Sequence, residues 1–239
     1  MCSTFVLPYK RGRIHLIKGT PPANKAADKI FQDYQEQAAN GELLLRRYPL
    51  RMRGAFLTNY FSQNSGEPYQ YVGGTGNTVP FTNAPTAVLD ALSLIKDRAR
   101  RSLNHDIPFN EVLSAAYMER QKMSFHSDSE KGLGPVVASL SLGSTAYMHF
   151  RTRKLKQQLE SHKQNVLTLV LRHGDVLVME GIGVQEYYEH TVVPTNFRIA
   201  ATARCIGSAN QSPAQEKPKP HDSVTYNTDS KLAPTKAAD

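Results

Sequence analysis

At 239 residues the chain suits one sizeable folded unit with additions, rather than two independent cores. Its 40% hydrophobic and 21% charged residues are ordinary for a globular protein, and no apolar run approaches the length of a membrane-spanning helix. Lys and Arg total 29 against 21 Asp and Glu, a net charge of +8 that suits a polyanionic partner such as nucleic acid, or simply a solvated basic surface.

From the N-terminus, Met1 to Pro8 lacks a basic stretch ahead of a long apolar one, so no secretory signal is expected. Cys2 and Cys205 are the only cysteines, too few for a disulfide framework or a zinc cluster. They fit a reducing intracellular compartment, nuclear or cytoplasmic. Residues 23–40 read as an amphipathic helix, with Pro21-Pro22 ahead, Ile30, Phe31 and Tyr34 as its stripe, and Gly41 to stop it. Tyr60 to Phe81, rich in Gly, Asn, Ser and Tyr, reads as a loop, either a lid or an irregular connection. A second helix is predicted from Pro85 to about Asn104, where Val88, Leu89, Leu92, Ile95, Ala99 and Leu103 recur at helical spacing.

From about residue 110 the period changes to two. Val136–Leu142, Val166–Leu171 and Asp175–Met179 are short strands punctuated by Gly143, Gly174 and Gly181. Many short strands imply a β-sandwich or barrel of the jelly-roll kind, here with two supporting helices before it. After Gly207 the composition turns polar and Pro-rich, so residues 208–239 are expected to be a disordered tail. The expected organisation is an N-terminal extension with one helix (1–53), a jelly-roll domain (54–207) and the tail.

Within that β-rich region, His126-Ser127-Asp128 is a His-x-Asp pair, and on an extended strand both side chains would share a face and could reach one ion. Alone it is weak, because the chain has 8 histidines. His190 lies on another predicted strand, and two imidazoles with one carboxylate leave three positions of an octahedral iron open. His149 and His173 fit less well but remain candidates on spacing alone. The segment Phe197–Ile206 alternates cleanly, with Arg198, Ala200, Thr202 and Arg204 on one face. Two arginines on that face of an otherwise apolar strand are costly inside a barrel unless they meet anions, and a dicarboxylate such as 2-oxoglutarate supplies two. An exposed edge strand with both arginines in water is the alternative.

Over about residues 54–206 the sequence resembles the AlkB-like dioxygenases. The likeness lies in His-x-Asp, a distal His after Tyr187-Tyr188, and the closing Arg-x-x-x-Thr-x-Arg. It extends to the Phe109-Asn110 to Tyr117 run, Ser139-Leu140-Ser141-Leu142-Gly143 and His173-Gly174-Asp175-Val176. The resemblance implies a double-stranded β-helix, α+β in class, with His126, Asp128 and His190 on Fe(II). It also implies 2-oxoglutarate as co-substrate alongside O2. Arg198, assisted by Tyr117, would meet the distal carboxylate of 2-oxoglutarate, and Arg204 would lie near the carboxylate that chelates iron. It further implies oxidation of N-methyl groups on DNA or RNA bases, releasing formaldehyde, CO2 and succinate. Glu130 would contact the flipped base, and Tyr69 and Tyr71 of a lid would stack on it. Ala115 and Ala200 stand where the family usually has Asn, and by period two both should line the same pocket.

The leading expectation is therefore an oxidative dealkylase of alkylated bases, acting as a monomer without a membrane partner. Arg46, Arg47, Arg51, Arg53, Arg151, Arg153, Lys154 and Lys156 are its candidate phosphate contacts. A hydroxylase or desaturase of a small metabolite on the same scaffold is the alternative, and a non-catalytic binding module is a third.

Overall fold

The computed structural model describes residues 1–47, 50–52, 55–58, 60–68, 78–129, 132–153 and 165–207. Among them, in chain order, run β1 (Cys2–Val6), β2 (Arg13–Ile17), α1 (Pro21–Ala39), β3 (Arg46–Arg47), β4 (Leu50–Met52), β5 (Ala55–Thr58), β6 (Phe61–Gly66), β7 (Thr78–Val79) and α2 (Thr86–Leu103). There follow β8 (Glu111–Tyr117), β9 (Met123–His126), β10 (Leu133–Gly143), β11 (Ala146–Thr152), β12 (Asn165–Leu171), β13 (Val176–Glu180), α3 (Ile182–Tyr187), β14 (Tyr188–Pro194) and β15 (Arg198–Ile206).

The strands form a large sheet ordered β1-β2-β13-β10-β15-β8-β6-β3, with β7 beside β6, and a smaller one ordered β12-β11-β14-β9. β4 and β5 pair separately. The two larger sheets face each other as a jelly roll. The alternation in sequence explains why: Ala138, Leu140, Leu142, Ile199, Ala201 and Ala203 point outward beneath the helices. Val137, Leu177 and Met179 point inward and meet Met148, Phe150, Leu169 and Leu171 of the smaller sheet.

Both expected helices are present and cover the outer face of the large sheet. Ala87, Val88, Ala91, Leu92, Ile95 and Ala99 are the buried stripe of α2, which stops at Asn104 in a left-handed conformation (φ 59°). Arg98 lies on the same buried side, and its guanidinium donates to the carbonyls of Gly174, Ile17 and Lys18, tying α2 to two sheet loops. Arg98→Ala strands those acceptors, so a loss of about 3 kcal/mol is expected in urea unfolding. A midpoint within error of wild type would show the tie to be idle.

Two segments differ from the sequence reading. Residues assigned to an N-terminal extension with one helix also supply β1 and β2, which extend the large sheet through β13. The stretch read as a loop from Tyr60 to Phe81 contains β6, fully paired with β8, and β7. The strand is Phe-Ser-Gln-Asn-Ser-Gly, whose polarity hides it: Ser62, Gln63 and Ser65 are buried by neighbouring elements rather than by their own hydrophobicity. Residues 69–77 of that stretch and the expected tail at 208–239 lie outside the described residues. No described helix is long and apolar enough to cross a membrane.

Candidate active site

The smaller sheet brings the two histidines together. His126 ends β9 and pairs in register with His190 of β14. Their ring centroids are 4.2 Å apart. Asp128 lies just past the end of β9, not on the strand as expected, and its carboxylate reaches both rings. Oδ1 is 3.7 Å from His126 Nε2 and Oδ2 is 3.7 Å from His190 Nε2. One donor atom from each of the three lies within 4.8 Å of the others.

The surroundings prepare these groups as metal donors. The carbonyl of Ser124 is 2.9 Å from His126 Nδ1, so a proton there leaves the Nε2 lone pair facing the cluster. Burial pushes the His190 imidazolium down to about 3, aided by His126 and Arg204 and opposed by Asp128. Burial alone would raise Asp128, but His190, His126 and Arg204 together hold it below the ordinary aspartate value. A neutral His190 imidazole and an ionised Asp128 carboxylate are the protonation states that a divalent cation requires of them.

A pH dependence follows for the metal-free protein. The unfolded chain takes up the His190 proton near the ordinary 6.5, whereas the fold resists it down to about 3. Stability is therefore lost as pH falls through that window, and below 3.8 Asp128 adds to the loss. Melting of EDTA-treated protein should drop progressively below pH 6.5; a flat profile to pH 4 would contradict the burial of His190.

Beside the cluster opens a cavity of about 340 Å³, lined by Tyr60, Tyr117, Met123, Ala115, Arg198, Ala200 and Arg204 among others. β15, the source of both arginines, is not an edge strand. It lies between β10 and β8 in the middle of the large sheet. Arg198 is 1% exposed. Its Nη2 donates to Ser141 Oγ at 3.0 Å, its Nε is buried without a partner, and no acidic side chain among the described residues pairs with it. Tyr117 lies opposite it in register, the ring centroid 5.8 Å from the guanidinium carbon. Arg198 is thus a buried cation with room in front of it, as an incoming carboxylate needs.

Arg204 is six residues along the strand, about 20 Å away by backbone rise. It pairs across the strands with Glu111, Nη1 to Oε2 3.8 Å. Glu111 is fully buried; burial raises its carboxyl, while Arg204 and the Asn64 amide work the other way. Glu111 was missed in the sequence, although it shares Tyr117's face by period two on a strand otherwise apolar or small. Ala115 and Ala200 face each other directly in register and line the cavity, as expected.

Two histidines separate from the site. His173 Nδ1 accepts from Gly143 N and its Nε2 is 3.0 Å from Asp28 Oδ1 under α1, while His149 Nδ1 bonds Thr168 Oγ1 on the outside of the smaller sheet. Glu130, Tyr69 and Tyr71, expected at the substrate, lie outside the described residues, as do Arg53, Lys154 and Lys156. Arg46 and Arg47 are exposed on β3. Arg151 is occupied by Glu189, 2.8 Å, and lies over the Phe125 ring, whereas Arg153 lines the cavity.

The family model described as the 2OG-Fe(II) oxygenase superfamily matches residues 14–217. The chain belongs to that superfamily. Within it the sequence is similar to AlkB homologues. It is 32% identical over 108 residues to the alpha-ketoglutarate-dependent dioxygenase alkB homolog 3 of Mus musculus, covering 44% of this chain and 37% of that protein. The Homo sapiens protein of the same name is 31% identical over 105 residues, 42% of this chain and 36% of its own length. The Bos taurus protein is 28% identical over 173 residues, 68% of this chain and 57% of that protein. This oxygenase therefore spans between about a third and just over half of the length of these relatives. A solved structure titled "The structure of OsALKBH1" overlaps 80% of this chain and 97% of that one at 17% identity and a TM-score of 0.47. The His126, Asp128 and His190 cluster is a donor set that fits the Fe(II) in the name of this superfamily.

Proposed function

We propose that this AlkB-like oxygenase removes alkyl groups from the nitrogens of nucleic-acid bases by oxidation, with release of formaldehyde, CO2 and succinate. The observation carrying this reading is the His126–Asp128–His190 cluster opening on a cavity that also holds an unneutralised buried Arg198. Those three residues hold Fe(II), which when bound supplies the O2 activation that the side chains of this protein cannot. Arg198 takes the distal carboxylate of 2-oxoglutarate in a dry site, where a guanidinium–carboxylate pair is strong. The Tyr117 hydroxyl, on the strand beside it, assists. Arg204, held by Glu111, keeps positive charge on the metal side of the cavity, where it would favour the other carboxylate of 2-oxoglutarate. Met148 lines the other wall, and Phe150 packs against the His190 ring in the apolar core behind it.

The resemblance to the AlkB-like dioxygenases and the net charge of +8 support nucleic acid as the substrate class. Formaldehyde and succinate should form in equal amounts from oligonucleotides bearing N-methylated bases. Succinate formation stimulated by a small molecule and indifferent to oligonucleotides would favour a metabolite hydroxylase or desaturase instead.

The paired alanines tune the co-substrate. Asn at either position places an amide beside the carboxylate held by Arg198 without displacing a large neighbour, because the residue opposite is alanine. Ala200→Asn should tighten 2-oxoglutarate by about 0.5–1.5 kcal/mol. Unchanged affinity in calorimetry would mean that the carboxylate lies elsewhere.

A further inference from the structure

The turn between β1 and β2 is a surface the reaction does not use. Tyr9 and Lys10 are consecutive residues with left-handed backbone, φ 59° and 55°, although neither is glycine. The turn is held closed by Leu7 N–H donating to Gly12 O and Lys10 N–H to Leu7 O. It is also clamped onto α3. Tyr188 Oη donates to Pro8 O at 2.9 Å, and the turn and α3 meet so closely that a Cβ on Gly183 would fall 2.1 Å from Arg11 O. The result is a rigid display: Tyr9 is 84% exposed, Lys10 is exposed, and the Arg11 guanidinium lies 3.9 Å from the Tyr187 ring centroid and 5.2 Å from that of Tyr9.

This corner leads to the cavity. Tyr187 precedes His190 by three residues, on the order of 10 Å of extended chain. Arg153, which lines the cavity, donates its backbone N–H to Tyr187 O. Glu180 is taken by Arg13 and His15, and Glu189 by Arg151, leaving Glu186 exposed beside Tyr187 against the cations Lys10, Arg11 and Arg153.

We propose that the β1–β2 turn is a docking platform for single-stranded nucleic acid flanking the target base, with a base stacked on Tyr9 and phosphates on Lys10 and Arg11. This rests on the function proposed above and adds the place where the strand runs. Alternating exposed ring and cation is the chemistry that binds single strands without reading sequence. A turn pinned by backbone hydrogen bonds presents it with little backbone ordering at binding.

The test is anisotropy of a fluorescein-labelled single-stranded oligonucleotide carrying one N-methylated base, titrated with the full chain at several salt concentrations. Turnover of the same oligonucleotide is measured in parallel. Tyr9→Ala should weaken binding about tenfold and raise KM with kcat unchanged, and Tyr9→Phe should restore both. Lys10→Gln should lower the slope of log K against log salt by about 0.7, which the loss of a ring cannot do. Binding of Mn(II) and 2-oxoglutarate, measured by calorimetry, should be unchanged in every variant and reports the folded site. If wild type binds and demethylates the oligonucleotide while all three variants match it in affinity and slope, the platform is wrong and the turn serves a protein partner or none. If wild type neither binds nor demethylates any oligonucleotide, the proposed function fails and takes the platform with it.

Discussion

Asp128→Ala is expected to abolish turnover and bound metal while leaving the protein folded. Asp128 is the one anionic donor of the cluster, 3.7 Å from each histidine nitrogen. Without it a divalent cation meets two neutral imidazoles and the nearby positive charge of Arg204, whose influence reaches both Asp128 and His190. Losing a partner one shell further out typically costs tenfold to about a hundredfold in metal affinity, and losing this ligand should cost more. The fold has little at stake, since Asp128 lies past the end of β9 and contributes to none of the hydrophobic clusters. Stability of the metal-free variant should therefore stay within about 1 kcal/mol of wild type. Asp128→Asn, which keeps the shape and removes the charge, should lose metal too. Metal content after dialysis, turnover and a melting curve check all three; full activity in either variant would remove Asp128 from the site.

Replacing Arg198 should produce two effects of opposite sign. In the ligand-free protein its guanidinium is buried, donates a hydrogen bond to Ser141 and keeps an orphaned Nε. Such a charge opposes folding, so Arg198→Met should leave the ligand-free protein as stable as wild type or raise its melting temperature. In the presence of 2-oxoglutarate the order reverses. A carboxylate brought into this cavity without its guanidinium is a buried unpaired charge, worth about 3–5 kcal/mol, or a few hundredfold to a few thousandfold in affinity. Metal binding should persist, because Arg198 is not part of the cluster. The checks are the 2-oxoglutarate dependence of turnover and thermal melts with and without 2-oxoglutarate. Retained affinity would show that Arg198 does not hold the co-substrate.

Much of this was legible in the sequence because the relevant signals are periodic. The alternation of β15 named which residues share a face with Arg198, and α2 announced itself by its stripe. What was hidden depends on neighbours. β6 is polar and becomes a strand because β8 offers a ladder, and β1 and β2 join the sheet through β13, which is distant in sequence. The Glu111–Arg204 pair needs the register of β8 with β15, which no local pattern encodes. It changes the electrostatic reading of the cavity: two arginines were expected to await two carboxylates, yet Arg204 already faces one of the protein's own. His126 and Asp128 were expected to meet on one strand, and they meet instead with Asp128 two residues past the end of β9.

The most direct measurement of the central claim is a sequential calorimetric titration under anaerobic conditions, Mn(II) first and 2-oxoglutarate second. One metal should bind, and 2-oxoglutarate should bind with high affinity only after it. His126→Ala should lose both, and Arg198→Met should keep the metal and lose the co-substrate. Tight binding of 2-oxoglutarate without metal, or a full metal equivalent in His126→Ala, would contradict the site described here.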